Sequence, residues 1–291
     1  MGAGKLIGLT SLAMVAFAAN SVLGRMGLLG GDIGAGSFAL IRLISGALVL
    51  GLIAGVSTVH TSGSWRGGLA LFIYAAFFSY AYLELAAGTG ALLLFAMVQI
   101  TMVGAGLLNG ERFTWLQWGG LAAALLALGW LLSPGLEAPP LIGALVMMIA
   151  GFGWGIYSLI GRTSKSDPTT TTAGNFLRAS LIGAILLVPI IIWISPEPTP
   201  GTRGIFLAII SGAITSGLGY AVWYMALKGL SATRAGVAQL TVPAIAALGG
   251  ILFLDEDLTL RFGIASLVIL AGVGVATLTP NASQARHNKT N

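Results

Sequence analysis

The chain has 291 residues, of which 56% are hydrophobic and only 8% are charged, and its mean hydropathy is +0.94. Soluble globular proteins carry roughly 25% charged residues, so this composition excludes a water-soluble domain. The net charge of +5 does not indicate nucleic-acid binding, because the basic residues stand singly between apolar runs and form no patch. Cysteine is absent, which excludes disulfides, thiolate metal sites and cysteine nucleophiles.

Apolar runs near 20 residues recur along the whole chain, and as helices they have the length that crosses roughly 30 Å of hydrocarbon. They predict an all-α polytopic membrane protein, since membrane helices tolerate the glycines and prolines inside the runs. In chain order the ten predicted spans are 6–23, 36–55, 67–85, 91–109, 115–132, 141–160, 173–194, 204–227, 234–254 and 262–279. A cleaved signal peptide is the alternative for the first run, because Lys5, an apolar stretch and Ala16-Phe17-Ala18 fit that pattern.

Lysine and arginine set the predicted orientation, since they are enriched in cytoplasmic loops. With the N-terminus inside, nine of the fourteen fall in cytoplasmic segments and three in outer loops, while Arg42 and Arg178 lie inside spans. Both termini are therefore predicted to be cytoplasmic, in a bacterial inner membrane. Two glycosylation-like triplets in the tail at 281–291 then carry no meaning.

Short matches recur in the same order in the two halves of the chain, beginning with Ser21-x-x-Gly24-Arg25 and Ser158-x-x-Gly161-Arg162. The other pairs are Arg42 with Arg178, Tyr82 with Tyr224, Gly104 with Gly249, Glu111-x-x-Thr114 with Glu256-x-x-Thr259, and Gly129 with Gly274. Because each half holds five spans, the second half must enter the membrane from the opposite side. The sequence predicts a first five-helix repeat at 1–136, an inverted repeat at 137–280 and a cytoplasmic tail at 281–291. This repeat argues against a cleaved first span.

The segment Gly110–Gly120, its weaker partner Asp255–Thr259, and the early-helix Arg42 and Arg178 resemble the tandem EamA repeats of the drug/metabolite transporter superfamily. Within that superfamily, the chain looks most like the YddG-type exporters of aromatic and other neutral amino acids. The resemblance implies a ten-helix carrier whose central cavity is lined mainly by the first, third, fourth and sixth helices and their repeat mates.

A carrier for a zwitterion needs polar groups that replace the hydration of its charged ends, and an apolar wall for its side chain. The amides Asn20, Gln99 and Gln239 can donate and accept hydrogen bonds near or within the spans, although such groups also join helices in lipid. Aromatic residues form stripes on the third, sixth and eighth spans, which predict cavity walls, an interfacial belt or the core of the bundle. The aromatic candidates for substrate binding are Tyr74, Phe78, Tyr82, Phe95, Trp154, Tyr157, Tyr220, Trp223 and Tyr224.

Trp154 stands out among these candidates because it lies in mid-span, among Gly151, Gly153 and Gly155. The glycines are candidates for helix packing, and small neighbours would also leave room beside the large ring. We therefore expect Trp154 to form a cavity wall, where it would stack on a substrate side chain or ammonium group. Tyr82, Trp223 and Tyr224 all lie near span ends, so an interfacial belt suffices to explain them.

Three residues are predicted to have structural or gating roles. Arg42 and Arg178 lie about two turns inside their spans, where they can snorkel or bind helix-terminal carbonyls; attracting a carboxylate in a vestibule is the alternative. Pro243 stands in the ninth span where the EamA family often has proline, but the first half has Val98-Gln99 in that register. The two helices therefore need not bend alike.

The remaining polar residues argue against catalysis. His60 falls in a loop and His287 in the tail, so the sequence predicts no catalytic residue, no metal site and no cofactor, and the protein is not expected to be an enzyme. Glu84, Glu111 and Glu256 form no convincing proton relay, which leaves facilitated diffusion or exchange as open as proton antiport.

The predicted function is a secondary transporter that exports amino acids, aromatic and other neutral ones, by alternating access through a central cavity. Its partners would be a small-molecule substrate and the lipid bilayer, without nucleic acid. A carrier for other drugs or metabolites and a lipid flippase are alternatives on the same fold. An intramembrane enzyme and a channel are the alternatives outside the carrier class.

Overall fold

The computed structural model describes residues 2–110, 113–135, 137–164, 166–230 and 232–278. Within these ranges every regular element is helical. Eight helices or helical runs are long and apolar enough to cross a membrane, and Leu260–Ala276 forms a shorter apolar helix. The predicted class, an all-helical polytopic membrane protein, is thus confirmed, while the count of ten spans stays a prediction. Glu111 and the tail at 281–291 lie outside the described residues.

Helical segments coincide with each of the predicted runs. The first half contains α1 (Ala3–Leu29), α2 (Ala35–Ala54), the short α3 (Val56–Val59), α4 (Trp65–Ala81), α5 (Ala87–Leu108) and α6 (Trp115–Leu132). The second half contains α7 (Leu141–Thr163), α8 (Pro168–Pro189), α9 (Thr202–Ile210), α10 (Gly219–Leu227), α11 (Ala232–Gln239), α12 (Val242–Leu254) and α13 (Leu260–Leu278). Two π-helical segments extend them: Ile190–Ile194 continues α8, and Ser211–Leu218 joins α9 to α10.

Pro243 explains why the ninth predicted span is divided into α11 and α12. A turn at 240–241 separates the two helices, and Pro243 lies in the first turn of α12. Proline is tolerated there because the N–H that it lacks would have no partner inside the helix. In the first half, α5 continues unbroken through Val98-Gln99. The two helices that the sequence repeat pairs therefore do not bend alike.

Three glutamates cap the N-termini of other helices; Glu197 and Glu256 are half-buried, and Glu84 is exposed. Glu197 accepts hydrogen bonds at 2.7 and 2.9 Å from two N–H groups in the first turn of α2. Glu256 accepts one at 2.8 Å from Ala87, the first residue of α5, and Glu84 accepts one at 3.1 Å from Gly143 in α7. A carboxylate is favourable at these positions because the first N–H groups of a helix are unpaired and carry partial positive charge.

The helices pack in pairs drawn from the two halves of the chain. α2 packs against α8, α5 against α12, and α6 against α13. α4 packs against α7, while α1 packs against the run from α9 to α10, including its π-helical segment. The carboxyl ends of α1 and α4 and the first residues of α5 and α7 meet around a pocket at one end of the bundle, which we call the Glu84 end. The opposite end, where α7 and α10 finish, is called the Lys228 end.

Candidate functional site

Phe17 of α1 is the centre of a buried group of aromatic rings. Its ring centroid lies 5.6 Å from that of Trp154 in α7, 5.8 Å from Tyr220 and 5.7 Å from Trp223 in α10, and 6.5 Å from Phe95 in α5. The contacts with Trp154, Tyr220 and Trp223 are edge-to-face, the arrangement that ring quadrupoles favour. Four helices that are distant in sequence are thus joined through one side chain.

Tyr74 and Phe78 of α4 complete this group. The ring of Tyr74 lies 5.0 Å from Trp154 and 5.4 Å from Phe78, and the rings of Trp154 and Tyr220 are 4.6 Å apart. We call the lining rings of the cavity between them the central cluster: Phe17, Tyr74, Phe78, Phe95, Trp154 and Tyr220. The cavity holds only about 10 Å³, which is room for about one water molecule. The rings of the central cluster therefore pack against one another and leave no room for a larger ligand.

A hydrogen-bond network lies beside the central cluster and begins at Asn20, three residues after Phe17. The Asn20 amide nitrogen donates to the Tyr74 hydroxyl at 3.0 Å. Its carbonyl oxygen accepts from the hydroxyls of Ser211 at 2.6 Å and Thr215 at 3.1 Å, both in the π-helical segment. Short π-helical segments inside α-helices are frequent at functional sites, because they change which side chains share a face.

Arg42 of α2 lies in the same network, with only 1% of its surface exposed. Its Nε donates to Ser216 at 3.0 Å, and its Nη2 donates to the hydroxyls of Tyr74 at 2.7 Å and Tyr220 at 3.1 Å. The guanidinium carbon lies 4.5 Å from the ring centre of Phe78 and 4.9 Å from that of Tyr74. Its Nη1 is buried and has no hydrogen-bond partner.

Arg178, which the sequence pairs with Arg42, makes different contacts. Its Nη1 donates to the carbonyls of Ser62 at 2.5 Å and Gly174 at 2.9 Å, and its Nη2 donates to that of His60 at 3.1 Å. These bonds fasten the connection between α3 and α4 to the start of α8. The expected binding of backbone carbonyls therefore describes Arg178, whereas the hydrogen bonds of Arg42 go to side-chain hydroxyls.

Three of the predicted substrate-binding residues lie around a pocket at the Lys228 end. The pocket has a volume of about 340 Å³, and its lining includes Ser158, Arg162, Trp223, Tyr224, Lys228 and Gln239. Trp223 also contacts Phe17, so its indole stands between this pocket and the central cluster. Tyr157 is buried between the rings of Trp154, at 5.5 Å, and Tyr224, at 6.3 Å.

Two further candidates lie away from both cavities. Tyr82 is fully buried near the Glu84 end, where its hydroxyl donates to the Ala87 carbonyl at 3.2 Å and its ring packs on Gly24 and Gly90. Tyr82 therefore lies where α1, the end of α4 and α5 pack together. Gln99 lines a separate small apolar cavity against α6 and α13, one helical turn after Phe95 of the central cluster.

The pocket at the Glu84 end has a volume of about 230 Å³ and is lined by Arg25, Glu84, Glu137 and Glu256, among others. Arg25 donates to the carbonyls of Tyr82 at 3.0 Å and Leu83 at 2.9 Å, and its Nε lies 3.4 Å from Glu256. In the described part of the chain, no three His, Asp or Glu side chains are grouped so that they could hold a metal ion. The polar contacts here join α1, α4, α5 and the loop after α12.

Glu256 is expected to make the stability of the protein depend on pH in a way that can be measured. Only 15% of its side chain is exposed, and burial raises the pKa of its carboxyl above 4.5, although the Ala87 N–H and Arg25 act in the opposite direction. The folded protein therefore holds this proton at pH values where the unfolded chain has lost it, so the contribution of Glu256 to stability falls as the pH rises from 4.5 through the folded pKa.

We expect the thermal midpoint of the purified wild type, measured relative to Glu256→Gln, to decrease as the pH is raised above 4.5 through the folded pKa. Asp257→Asn, at an exposed neighbouring acid, is the matched control and should show a smaller change with pH. A difference between wild type and Glu256→Gln that is constant over this range would contradict the prediction.

Comparisons with known proteins agree with this architecture. Residues 141–278 match the EamA-like transporter family. An uncharacterized protein of Pseudomonas aeruginosa is 48% identical over 285 residues, which are 95% of this chain and 96% of that protein. The chain belongs to the EamA-like transporter family. The predicted resemblance to the drug/metabolite transporter superfamily is thus confirmed, while the narrower likeness to YddG-type exporters stays a prediction.

Other relatives of this EamA-family chain are more distant. The threonine/homoserine exporter RhtA of Escherichia coli K12 is 31% identical over 161 residues, which are 54% of this chain and 52% of the exporter. The chain thus aligns with about half the length of that exporter. A crystal structure of another protein superposes with a TM-score of 0.64 at 21% identity, covering 92% of this chain and 98% of that one. At this identity the likeness shows the fold alone.

Several residues at the centre of this transporter are absent from the sequence-based candidates. Phe17 occurs three residues before Asn20, a helical spacing that places both on one face of α1. Ser211 and Thr215 have the i, i+4 spacing of a polar face in an apolar run, which is an available signal for a buried network. Ser216 reaches Arg42 because the segment is π-helical, and simple helical periodicity does not predict that geometry.

Proposed function

We propose that this EamA-family transporter exports amino acids, aromatic and other neutral ones, by alternating access across a bacterial inner membrane. The observation that carries the proposal is the central cluster, where rings from five helices enclose a cavity beside buried amide, hydroxyl and guanidinium groups. Ring faces suit an apolar or aromatic side chain, and the polar groups can replace the water around its charged ends. The 31% identity to a threonine/homoserine exporter supports the same substrate class.

Two inverted repeats, at 1–136 and 137–280, are part of the proposal, and the helix packing supports them. If each helix is exchanged for its repeat mate, the contact of α1 with the α9 to α10 run becomes that of α7 with α4. In the same way, the contact of α5 with α7 becomes that of α12 with α1. α1 ends at the Glu84 end, where α7 begins, so the two first helices run in opposite directions.

Individual side chains repeat this symmetry. A Cβ on Gly24 would lie 2.9 Å from Phe78 and 3.4 Å from Tyr82, while one on Gly161 would overlap the hydroxyl of Tyr224. The matched glycines of the two Ser-x-x-Gly-Arg segments thus each receive an aromatic ring from the corresponding helix. Residues that are matched in sequence thus make equivalent contacts, which supports one common ancestor of the two halves. Inverted repeats are a frequent basis for alternating access.

The orientation of the bundle in the membrane is also part of the proposal. Arg162 and Lys228 line the pocket at the Lys228 end, whereas Glu84 and Glu256 lie at the opposite end. Basic residues favour the cytoplasmic side, so we place the Lys228 end in the cytoplasm. In this state a cytoplasmic vestibule would lead as far as Trp223, and a substrate would displace that ring to enter the central cluster.

Exchange assays with purified protein in liposomes test this function. Labelled L-phenylalanine and L-threonine are expected to show saturable uptake that accelerates when the same amino acid is present inside the vesicles. A pH gradient is expected to leave the flux unchanged, since the proposal needs no proton relay. A steady ionic conductance would contradict a carrier, and absence of exchange with all common amino acids would contradict the substrate class.

A further inference from the structure

We infer that Arg42, which lies beside the central cluster, is an anion-binding group and receives the carboxylate of the substrate. The inference rests on the proposed function, because it concerns the same site. Arg42 is 1% exposed and lies among helices of an integral membrane protein. Among the described residues, the ion pairs join Arg25 with Glu256 and Arg203 with Asp32, and neither includes Arg42.

The charge of Arg42 is the first argument. A guanidinium group keeps its proton in proteins, so burial leaves a full positive charge in the bundle. Such a charge in a membrane protein is costly unless an opposite charge or a polar cavity compensates it. The rings of Tyr74 and Phe78 lie 4.9 and 4.5 Å from its guanidinium carbon and compensate only a part, since cation–π contacts are weaker than a buried ion pair. An anion is the missing partner.

The hydrogen bonds around Arg42 are the second argument, because donors exceed acceptors there. Its Nη1 carries two N–H groups and has no partner. The Tyr74 oxygen already accepts from Arg42 Nη2 at 2.7 Å and from the Asn20 amide at 3.0 Å. The oxygens of Tyr74 and Tyr220 are 3.2 Å apart, so one phenol proton can lie between them. A carboxylate offers only acceptors and would satisfy the free N–H groups of Nη1.

Arg178 shows what a purely structural arginine looks like in this chain. Both of its Nη atoms donate to backbone carbonyls, and the guanidinium carbon lies 5.7 Å from the ring centre of Trp65. It lies at the edge of the bundle, where its neighbours supply the acceptors that it needs. Arg42 has an equivalent place in the sequence but no carbonyl partner, so its retained charge is available to a ligand.

The surroundings of Arg42 favour an organic carboxylate over a small inorganic anion. Tyr74 and Phe78, which lie against the guanidinium group, also line the aromatic cavity of the central cluster. A ligand held by Arg42 would therefore place its remaining atoms among ring faces, which suits an apolar or aromatic body. The cavity of about 10 Å³ must enlarge to admit it.

Ligand pairs that differ only in the carboxylate test the inference without any substitution. Binding of L-phenylalanine and L-phenylalaninamide to wild-type protein in lipid nanodiscs is measured by titration calorimetry, with phenylpropionate as a carboxylate that lacks the amino group. The acid is expected to bind about 100-fold more tightly than the amide, as for loss of a buried charge pair. Equal affinities would overturn the role of Arg42 while leaving amino-acid transport intact.

Phenylpropionate separates the two proposals. If it binds and L-phenylalanine and L-threonine neither bind nor exchange, the anion site is supported and the amino-acid function fails. If L-phenylalanine, L-threonine and phenylpropionate all fail to bind, both proposals are overturned. If L-phenylalanine exchanges across liposomes but the amide exchanges with the same KM, only the inference about Arg42 is lost.

Variants then assign the discrimination to this side chain. Arg42→Gln is expected to reduce the ratio of acid to amide affinity from about 100 to about 1. Arg42→Lys should keep a ratio of about ten, because lysine retains the charge but lacks the planar guanidinium group. Arg178→Gln, the matched control, should keep the wild-type ratio even if its thermal midpoint falls. An unchanged ratio in Arg42→Gln would refute the inference. If that variant does not fold, the wild-type ratio and Arg42→Lys decide.

Discussion

Trp154→Ala is expected to lower kcat/KM for L-phenylalanine exchange by about 30- to 100-fold. The substrate would lose its ring contacts with the indole, and such contacts are worth about 0.5 to 1.5 kcal/mol each. The indole is 3% exposed, and its centroid lies 4.6 to 5.6 Å from those of Tyr220, Tyr74 and Phe17. It therefore forms one wall of the cavity and contacts rings from three other helices that also line it. Initial rates of exchange in liposomes, over a range of L-phenylalanine concentrations, measure the effect.

Trp193→Ala is the matched control for this prediction. Trp193 follows α8, is 74% exposed and belongs to no ring cluster in the described structure, so its loss should leave kcat/KM within about twofold. Trp154→Phe should recover part of the activity because it restores a ring face. Normal exchange by Trp154→Ala, at wild-type protein levels in the liposomes, would remove the central cluster from the transport pathway.

The expected result for Trp154→Ala also concerns stability, because removal of a buried tryptophan commonly costs about 3 to 5 kcal/mol. The sequence made Gly151, Gly153 and Gly155 candidates for helix packing, and also small neighbours that would leave room beside the indole. In the structure they bring other helices close. A Cβ on Gly151 would lie 2.5 Å from the Leu94 carbonyl, and one on Gly155 would lie 2.7 Å from Thr101. The cavity left by Trp154→Ala is therefore enclosed by closely packed helices, and a lower thermal midpoint is expected.

Composition and run length predict the helices of this protein well because both follow from the bilayer itself. A segment that crosses hydrocarbon must be apolar and must pair its own backbone groups, so nearly every helix is visible as an uninterrupted run. Pro243 indicates that this helix and its mate differ, since proline has a fixed local geometry, although the ninth span was predicted as one continuous run. These features depend on nearest neighbours in sequence and on the solvent.

The site is less visible because it depends on which helices meet. Arg42 and Arg178 occupy equivalent positions in matched segments, and nothing local distinguishes them. Arg178 faces loop carbonyls, while Arg42 faces Ser216 on a π-helical segment 174 residues away in sequence. Phe17 is likewise one phenylalanine in an apolar helix until α5, α7 and α10 surround it. Repeat symmetry pairs residues, but the differences between mates arise from tertiary contacts.

Gly212→Ala is expected to destabilise the protein by about 1 to 3 kcal/mol and to reduce amino-acid exchange more than tenfold, through overpacking at a helix crossing. A Cβ on Gly212 would overlap the backbone carbonyl of Arg42 and the hydroxyl of Ser45, and would lie 2.7 Å from the Arg42 Cα. Backbone atoms cannot rotate away, so α2 and the π-helical segment must separate. That movement would draw Arg42 from Ser216, to which its Nε now donates at 3.0 Å.

Gly104→Ala provides the control for this crossing, because a Cβ on Gly104 in α5 meets no atom within 4 Å. Alanine is the better helix former by roughly 0.5 to 1 kcal/mol, so this variant should be as stable as wild type or more so. Thermal midpoints and exchange rates of both variants are compared in the same lipid. If Gly212→Ala retains wild-type exchange, Arg42 does not need the close approach of α2 to the π-helical segment, and transport does not depend on the geometry of that crossing.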